Sequence, residues 1–83
     1  MVEIKAKKVT KKYGITSIVY KNGRKKEAEI EFKSDGTYMA LCAFHSGSCV
    51  SFGYSNLEKA KQNTEIYLNN IHCFSDGANV TYI

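Results

Sequence analysis

Between Asp35 and Leu68 the chain passes through a turn, two short strands and a helix with almost no residue to spare. Asp35-Gly36 offers a tight turn, and Thr37 to Phe44 is apolar or small at nearly every position, the pattern of a central strand covered on both faces or of one that contacts a partner. After a second turn at Ser46-Gly47, Val50, Phe52 and Tyr54 alternate with Cys49, Ser51 and Gly53. Ser55 followed three positions later by Glu58 reads as a capping box, the hydroxyl accepting from a free N–H of the first turn while the carboxylate reaches back. Leu57, Ala60, Thr64, Tyr67, Leu68 and Ile71 recur at helical spacing, opposite Lys59, Gln62, Asn63 and Asn69. A helix with one apolar stripe, laid on one face of a sheet, is the expected result.

The flanking segments supply the rest of that sheet. Val2, Ile4 and Ala6 alternate with Glu3, Lys5 and Lys7, so a strand with one buried face is expected there. Tyr13-Gly14 offers a turn, and the β-branched run Ile15 to Tyr20 leads into Asn22-Gly23, a strong hairpin signal. Ala28, Ile30 and Phe32 alternate with Glu27, Glu29 and Glu31, and Asp76-Gly77 turns the chain into a last strand at Val80 to Ile83. The expected order is β-β-β-β-β-α-β. This is an α+β domain, an antiparallel sheet of five to six strands with one helix packed on one face.

With 83 residues there is room for one domain, 1–83, with a single modest core and little surface for a deep catalytic cleft, which favours a binding protein over an enzyme. Composition, 43% hydrophobic and 24% charged, places the chain among globular proteins, not disordered ones. No apolar stretch approaches the roughly 20 residues that span a bilayer, and the N-terminus lacks a secretory pattern, so a cytoplasmic protein without membrane contact is expected. Three cysteines cannot all pair within the chain. Cys42, Cys49 and Cys73, with His45 and His72, lack the recurring spacing of a structural zinc site and read as small buried residues and scattered imidazoles. His45 beside Ser46 and Ser48 has no carboxylate placed to orient it. Glycines occur singly, so no phosphate-cradling loop is formed. No catalytic residue, metal or cofactor is assigned.

Charge is unevenly distributed. Residues 1–33 hold ten basic groups against four acidic ones, a net of +6, whereas residues 34–83 hold two against four, a net of −2. The basic groups Lys7, Lys8, Lys11, Lys12, Arg24, Lys25 and Lys26 flank Tyr13 and Tyr20, and together these nine residues form the expected partner-binding surface. Tyr13, Tyr20 and Tyr82 are the tyrosines expected at the surface. Lys5, Lys7, Lys8, Lys11, Lys12, Lys21, Arg24, Lys25 and Lys26, interleaved with Tyr13 and Tyr20, can neutralise phosphates, so nucleic acid is a candidate ligand of this half; lysines on edge strands also serve simply to block sheet aggregation. An exposed C-terminal strand leaves room for a homodimer.

One family shares the central block. Asp35, Gly36, Tyr38, Ala40, Gly47, Cys49, Val50, Ser51, Gly53, Ser55, Glu58, Ala60, Asn63 and Leu68 match a pattern that is similar to the HicB antitoxins, which have a truncated RNase H-like fold. The resemblance implies a HicB-like sheet and helix over residues 25–83, with residues 2–21 as an added basic strand pair, and a non-enzymatic role against an RNA-cleaving toxin. In size and build the chain is also similar to phage anti-CRISPR inhibitors. The function expected from these features is a small inhibitor that binds and blocks a nucleic-acid-processing protein or nucleoprotein complex, such as a mobile-element anti-defence protein. A HicB-like antitoxin and a basic DNA- or RNA-binding module are the alternatives.

Overall fold

A computed structural model of the chain describes residues 1–43, 49–70 and 73–83. Its elements are β1 (Val2–Thr10), β2 (Thr16–Asn22), β3 (Lys25–Phe32), β4 (Tyr38–Ala43), β5 (Cys49–Tyr54), α1 (Leu57–Leu68) and β6 (Ala78–Tyr82), in the expected order. They form one six-stranded sheet, β5-β4-β3-β2-β1-β6, with the helix on one face. The sheet is mixed and not purely antiparallel: β1 to β5 pair antiparallel, but β6 runs parallel to β1. The reason lies in the connection. Short turns join the first strands and reverse the chain each time, whereas β5 reaches β6 through a helical crossover, which returns a strand in the same direction. Twelve helical residues span roughly 18 Å, and the five gaps between six strands add up to roughly 24 Å, so the crossover carries the chain from one sheet edge to the other.

Cross-strand register decides which side chains meet the helix. Ala6, Tyr20, Ala28, Cys42 and Val50 stand in one row and Ile18, Ile30, Ala40 and Phe52 in the next, so these residues share a face. Ile4, Ala6, Tyr20, Ile30 and Ala40 there are buried, as are Ala60, Thr64 and Leu68 of α1. The small side chains Ala28, Ala40 and Ala60 let the backbones approach, while Ile4 and Ile30 each remove enough apolar surface to contribute about 2 kcal/mol. β1 and β2 are therefore interior strands that build the core. The strand pair over 2–21 continues the sheet of residues 25–83 through the β2–β3 ladder. β4 is not covered on both faces: Met39 and Leu41, on its side away from the helix, are only half-buried.

Two local readings are revised. The helix N-cap is Asn56, not Ser55; its side chain accepts from Lys59 N at 3.2 Å. At the β2–β3 hairpin, Asn22 pairs with Lys25, so the two turn residues are Gly23 and Arg24. Gly23 has φ +64, the positive value that the first position of a type II′ turn requires.

The far end of the helix is clamped to β6 by one side chain. Asn69 Nδ2 donates to Glu65 O at 2.9 Å and to Ala78 O at 3.1 Å, while Asn69 Oδ1 accepts from Ala78 N at 2.8 Å. Gly77 makes room for this clamp, since a Cβ there would lie 3.1 Å from Asn69 Oδ1. A second link runs through phenols. Tyr82 donates to Glu65 Oε2 at 3.0 Å, which leaves Tyr20 as the donor to Tyr82 at 2.7 Å. Burial pushes the Tyr20 phenol up to about 12, so the chain of protons stays intact across the neutral range. Asn69→Ala removes three side-chain hydrogen bonds, two of which join helix to strand, and is expected to cost about 2 kcal/mol, read as a lower urea midpoint at unchanged m. Asn63→Ala, which loses one exposed bond to Lys59 O, is expected to cost less than about 0.5 kcal/mol.

Candidate anion-binding sheet face

The helix covers one side of the sheet, and alternation sends the remaining strand residues to the other. Glu3, Lys5, Lys7 and Val9 of β1, Ser17, Val19 and Lys21 of β2, Glu29 and Glu31 of β3, Met39 and Leu41 of β4 and Asn79 and Thr81 of β6 stand on this second side. The strand aromatics Tyr20, Phe32, Tyr38, Phe52, Tyr54 and Tyr82 all stand on the helix side. This second face is therefore lysine-rich and aliphatic, without an aromatic contributed by any described strand.

Register sets three lysines side by side. Lys5 pairs with Lys21 across β1 and β2, and Lys21 pairs with Lys26 across β2 and β3. The last pairing exists because the register shifts after Tyr20: Tyr20 faces Ala28, so the ladder skips Glu27 and Lys26 takes the place beside Lys21 that an unshifted ladder would give to Glu27. Like charges directly opposite one another destabilise a sheet. Lys7 stands two residues along β1, roughly 7 Å away. Lys5, Lys7 and Lys21 rim a recess of about 430 Å³ whose apolar lining is Val9, Val19 and Ile83.

The neighbouring carboxylates do not neutralise this rim. Glu29, only 2% exposed, is held by Lys26 Nζ at 2.9 Å and by a closer contact from Lys11, which reaches it from the β1–β2 loop. Glu27 lies 3.7 Å from Lys25 and Glu31 3.6 Å from Lys33. Glu3 accepts from the Asn79 side chain at 3.0 Å. Each acid of β3 thus has its own lysine, and Lys5, Lys7 and Lys21 form no ion pair among the described residues. Burial would raise the Glu29 carboxyl, but the ammoniums of Lys11 and Lys26 held against it outweigh that and bring the group from an ordinary 4.5 down to about 2. The same contact raises the Lys11 ammonium.

The nine residues expected to form one surface are dispersed. Lys7 and Lys26 belong to the lysine face, with Arg24 and Lys25 at its hairpin end. Lys12 and Tyr13 lie in the β1–β2 loop at the opposite end of β2, roughly 20 Å away, whereas Lys11 of the same loop reaches back to Glu29 beside Lys26. Lys8 points to the helix side, with its ammonium 5.5 Å from the centre of the Phe32 ring. Tyr20 is fully buried and makes no surface, whereas Tyr13 is exposed. Lys5 and Lys21 were absent from that expected set although they are central to the face. Their alternation with Ile4, Ala6 and Tyr20 is visible in the sequence, but the bulge that completes the row is not.

Cys42 and Cys73 are free and buried, and burial, with Cys73 nearby, pushes the Cys42 thiol up to about 11, out of the reactive range. Among the described residues no group of three or more His, Cys, Asp or Glu side chains could hold a metal ion. His45, Ser46, Ser48 and His72 lie outside the described residues. No described helix is long and apolar enough to cross a membrane. No family model, curated protein or solved structure matches the chain.

Glu29 also sets an acid response. Because its folded-state value lies below the unfolded one, its stabilisation is complete above pH 4.5 and is lost as pH falls towards 2. Allowing for water around the half-exposed lysines, that contribution is about 1–2 kcal/mol. Urea unfolding of the parent chain and of Glu29→Gln is expected to differ by this amount at pH 7 and to converge below pH 3.

Proposed function

We propose that the protein is a non-enzymatic blocker that docks its lysine face on a nucleic-acid-processing protein, or on the nucleoprotein complex such a protein forms, and stops it by occupancy. The observation that supports this most is the row Lys5, Lys21 and Lys26, flanked by Lys7, on the side of the sheet that no described helix covers. Setting like charges side by side costs the fold stability, and an anionic partner would recover that cost. Protection of sheet edges does not account for the row. β1 and β2 are interior strands, while the true edges, β5 and β6, carry no charged residue. Solubility alone would be served by mixed charges, yet here the acids of β3 are paired with lysines and the lysines of the rim are not.

The similarity of residues 35–68 to the HicB antitoxins favours a second reading of the same physical kind, in which the blocked protein is an RNA-cleaving toxin. An anti-defence inhibitor of a nucleoprotein effector and an antitoxin would differ in target, not in mode of action.

The deciding variant is Lys5→Glu/Lys7→Glu/Lys21→Glu, which reverses the rim and leaves the core and the Glu29 contacts untouched. The parent protein is expected to capture a nucleic-acid-processing protein from host lysate and to inhibit its purified activity. The variant, with unchanged circular dichroism, is expected to lose at least about 90% of both, since several charge contacts of roughly 1 kcal/mol each are reversed. Equal capture and inhibition by the variant would exclude this face as the contact surface.

A further inference from the structure

We propose that the lysine face binds the phosphate backbone of duplex nucleic acid directly and without reading sequence; this inference rests on the docking surface proposed above and names what that surface touches. Charge sets the class of ligand. Lys5, Lys7 and Lys21 have no carboxylate partner among the described residues and converge on one recess. Adjacent strands put Lys5 and Lys21 roughly 5 Å apart, and strand rise puts Lys5 and Lys7 roughly 7 Å apart. Such a two-dimensional set of ammoniums fits a densely charged polyanion.

The kind of side chain narrows the choice further. Recognition of protein carboxylates favours the two-pronged guanidinium of Arg, and protein interfaces are anchored by Trp, Tyr and Arg. The recess contains neither aromatic nor Arg; its rim is Lys and its apolar lining aliphatic. Sequence-tolerant binding of single strands relies on aromatic platforms for stacking, and here the strand aromatics are on the opposite side of the sheet. What remains is contact with phosphates whose bases are stacked away inside a duplex. Lysine serves there as a point charge, and Val9, Val19 and Ile83 offer no hydrogen-bonding group with which to read a base. Glu3, at the margin of the face, faces Asn79 of the adjacent strand and is held by its amide.

Fluorescence anisotropy with a labelled duplex of arbitrary sequence, and with one of its strands alone, tests this at a series of salt concentrations. Three neutralised phosphates predict a slope of log K against log salt of about −3 for the duplex. Binding should be indifferent to duplex sequence and weaker for the single strand. Lys5→Glu/Lys21→Glu should lower duplex affinity at least tenfold and flatten the slope by about 2. Lys12→Glu/Lys59→Glu, which changes net charge equally but lies off this face, should change affinity less than threefold. Equal losses in the two double variants, preference for the single strand, or no duplex binding at low salt would each overturn the inference. Failure here is separable from failure of the proposed function. If the target protein is still captured from nuclease-treated lysate, and that capture is lost on reversing Lys5 and Lys21, the face contacts protein: the blocker survives and the duplex contact falls. If the duplex binds as described but no processing enzyme is captured or inhibited, the blocker falls and the duplex contact survives.

Discussion

A six-stranded sheet has two faces, and the described residues supply one helix with which to cover them. Strand side chains alternate between the faces, so every apolar residue that reaches the helix is followed by one that does not. Ile4, Ala6, Ile18, Tyr20 and Ile30 go under the helix; Lys5, Lys7, Val19, Lys21 and Glu29 go to the other side. The core, the aromatic side of the sheet and the lysine face all follow from this partition. A second covering helix would have required the lysine face to be apolar.

The uncovered face still contains a buried carboxylate. Glu29 is nearly inaccessible although no described secondary-structure layer lies over it, and lysines from two directions hold it. Lys11 arrives from the β1–β2 loop and Lys26 from the start of β3, so the pairing ties the loop to the sheet and consumes two of the basic groups. A buried charge left without its partners is far more costly than an exposed one. The arrangement therefore sorts the basic groups into those that serve the fold and those that remain for a ligand. Lys5, Lys7 and Lys21 fall in the second set.

The register shift after Tyr20 links these two sets. By skipping Glu27 in the ladder it moves Lys26 alongside Lys21, extending the lysine row to a third strand while allowing Lys26 to reach Glu29. Neither Lys26 nor Glu27 has an unusual environment in the sequence. Clamps at the other end of the molecule, Asn69 to β6 and Tyr20 through Tyr82 to Glu65, hold the crossover helix against the sheet. Together they fix the edge strand β6 beside β1 and so place Thr81 and Ile83 next to the lysine rim.

Much of the fold was legible in local patterns, because period-2 alternation and turn residues act over a few positions. The strands, the helix on one face and the order β-β-β-β-β-α-β are set at that range. The direction of β6 was also implicit: four reversals leave β5 parallel to β1, and a helical crossover returns β6 in that same direction. The cap was misread because Ser55 and Asn56 are both good capping residues, and only the backbone entry angle selects between them. Tyr20 could not be placed by its polarity, since its hydroxyl is satisfied by Tyr82, sixty-two residues away. What the sequence by itself determined is the alternation that separates lysines from core residues on each strand. What only tertiary structure decided is which lysines become neighbours, since register, a single bulge and the pairing of Glu29 depend on contacts between strands and on none within them.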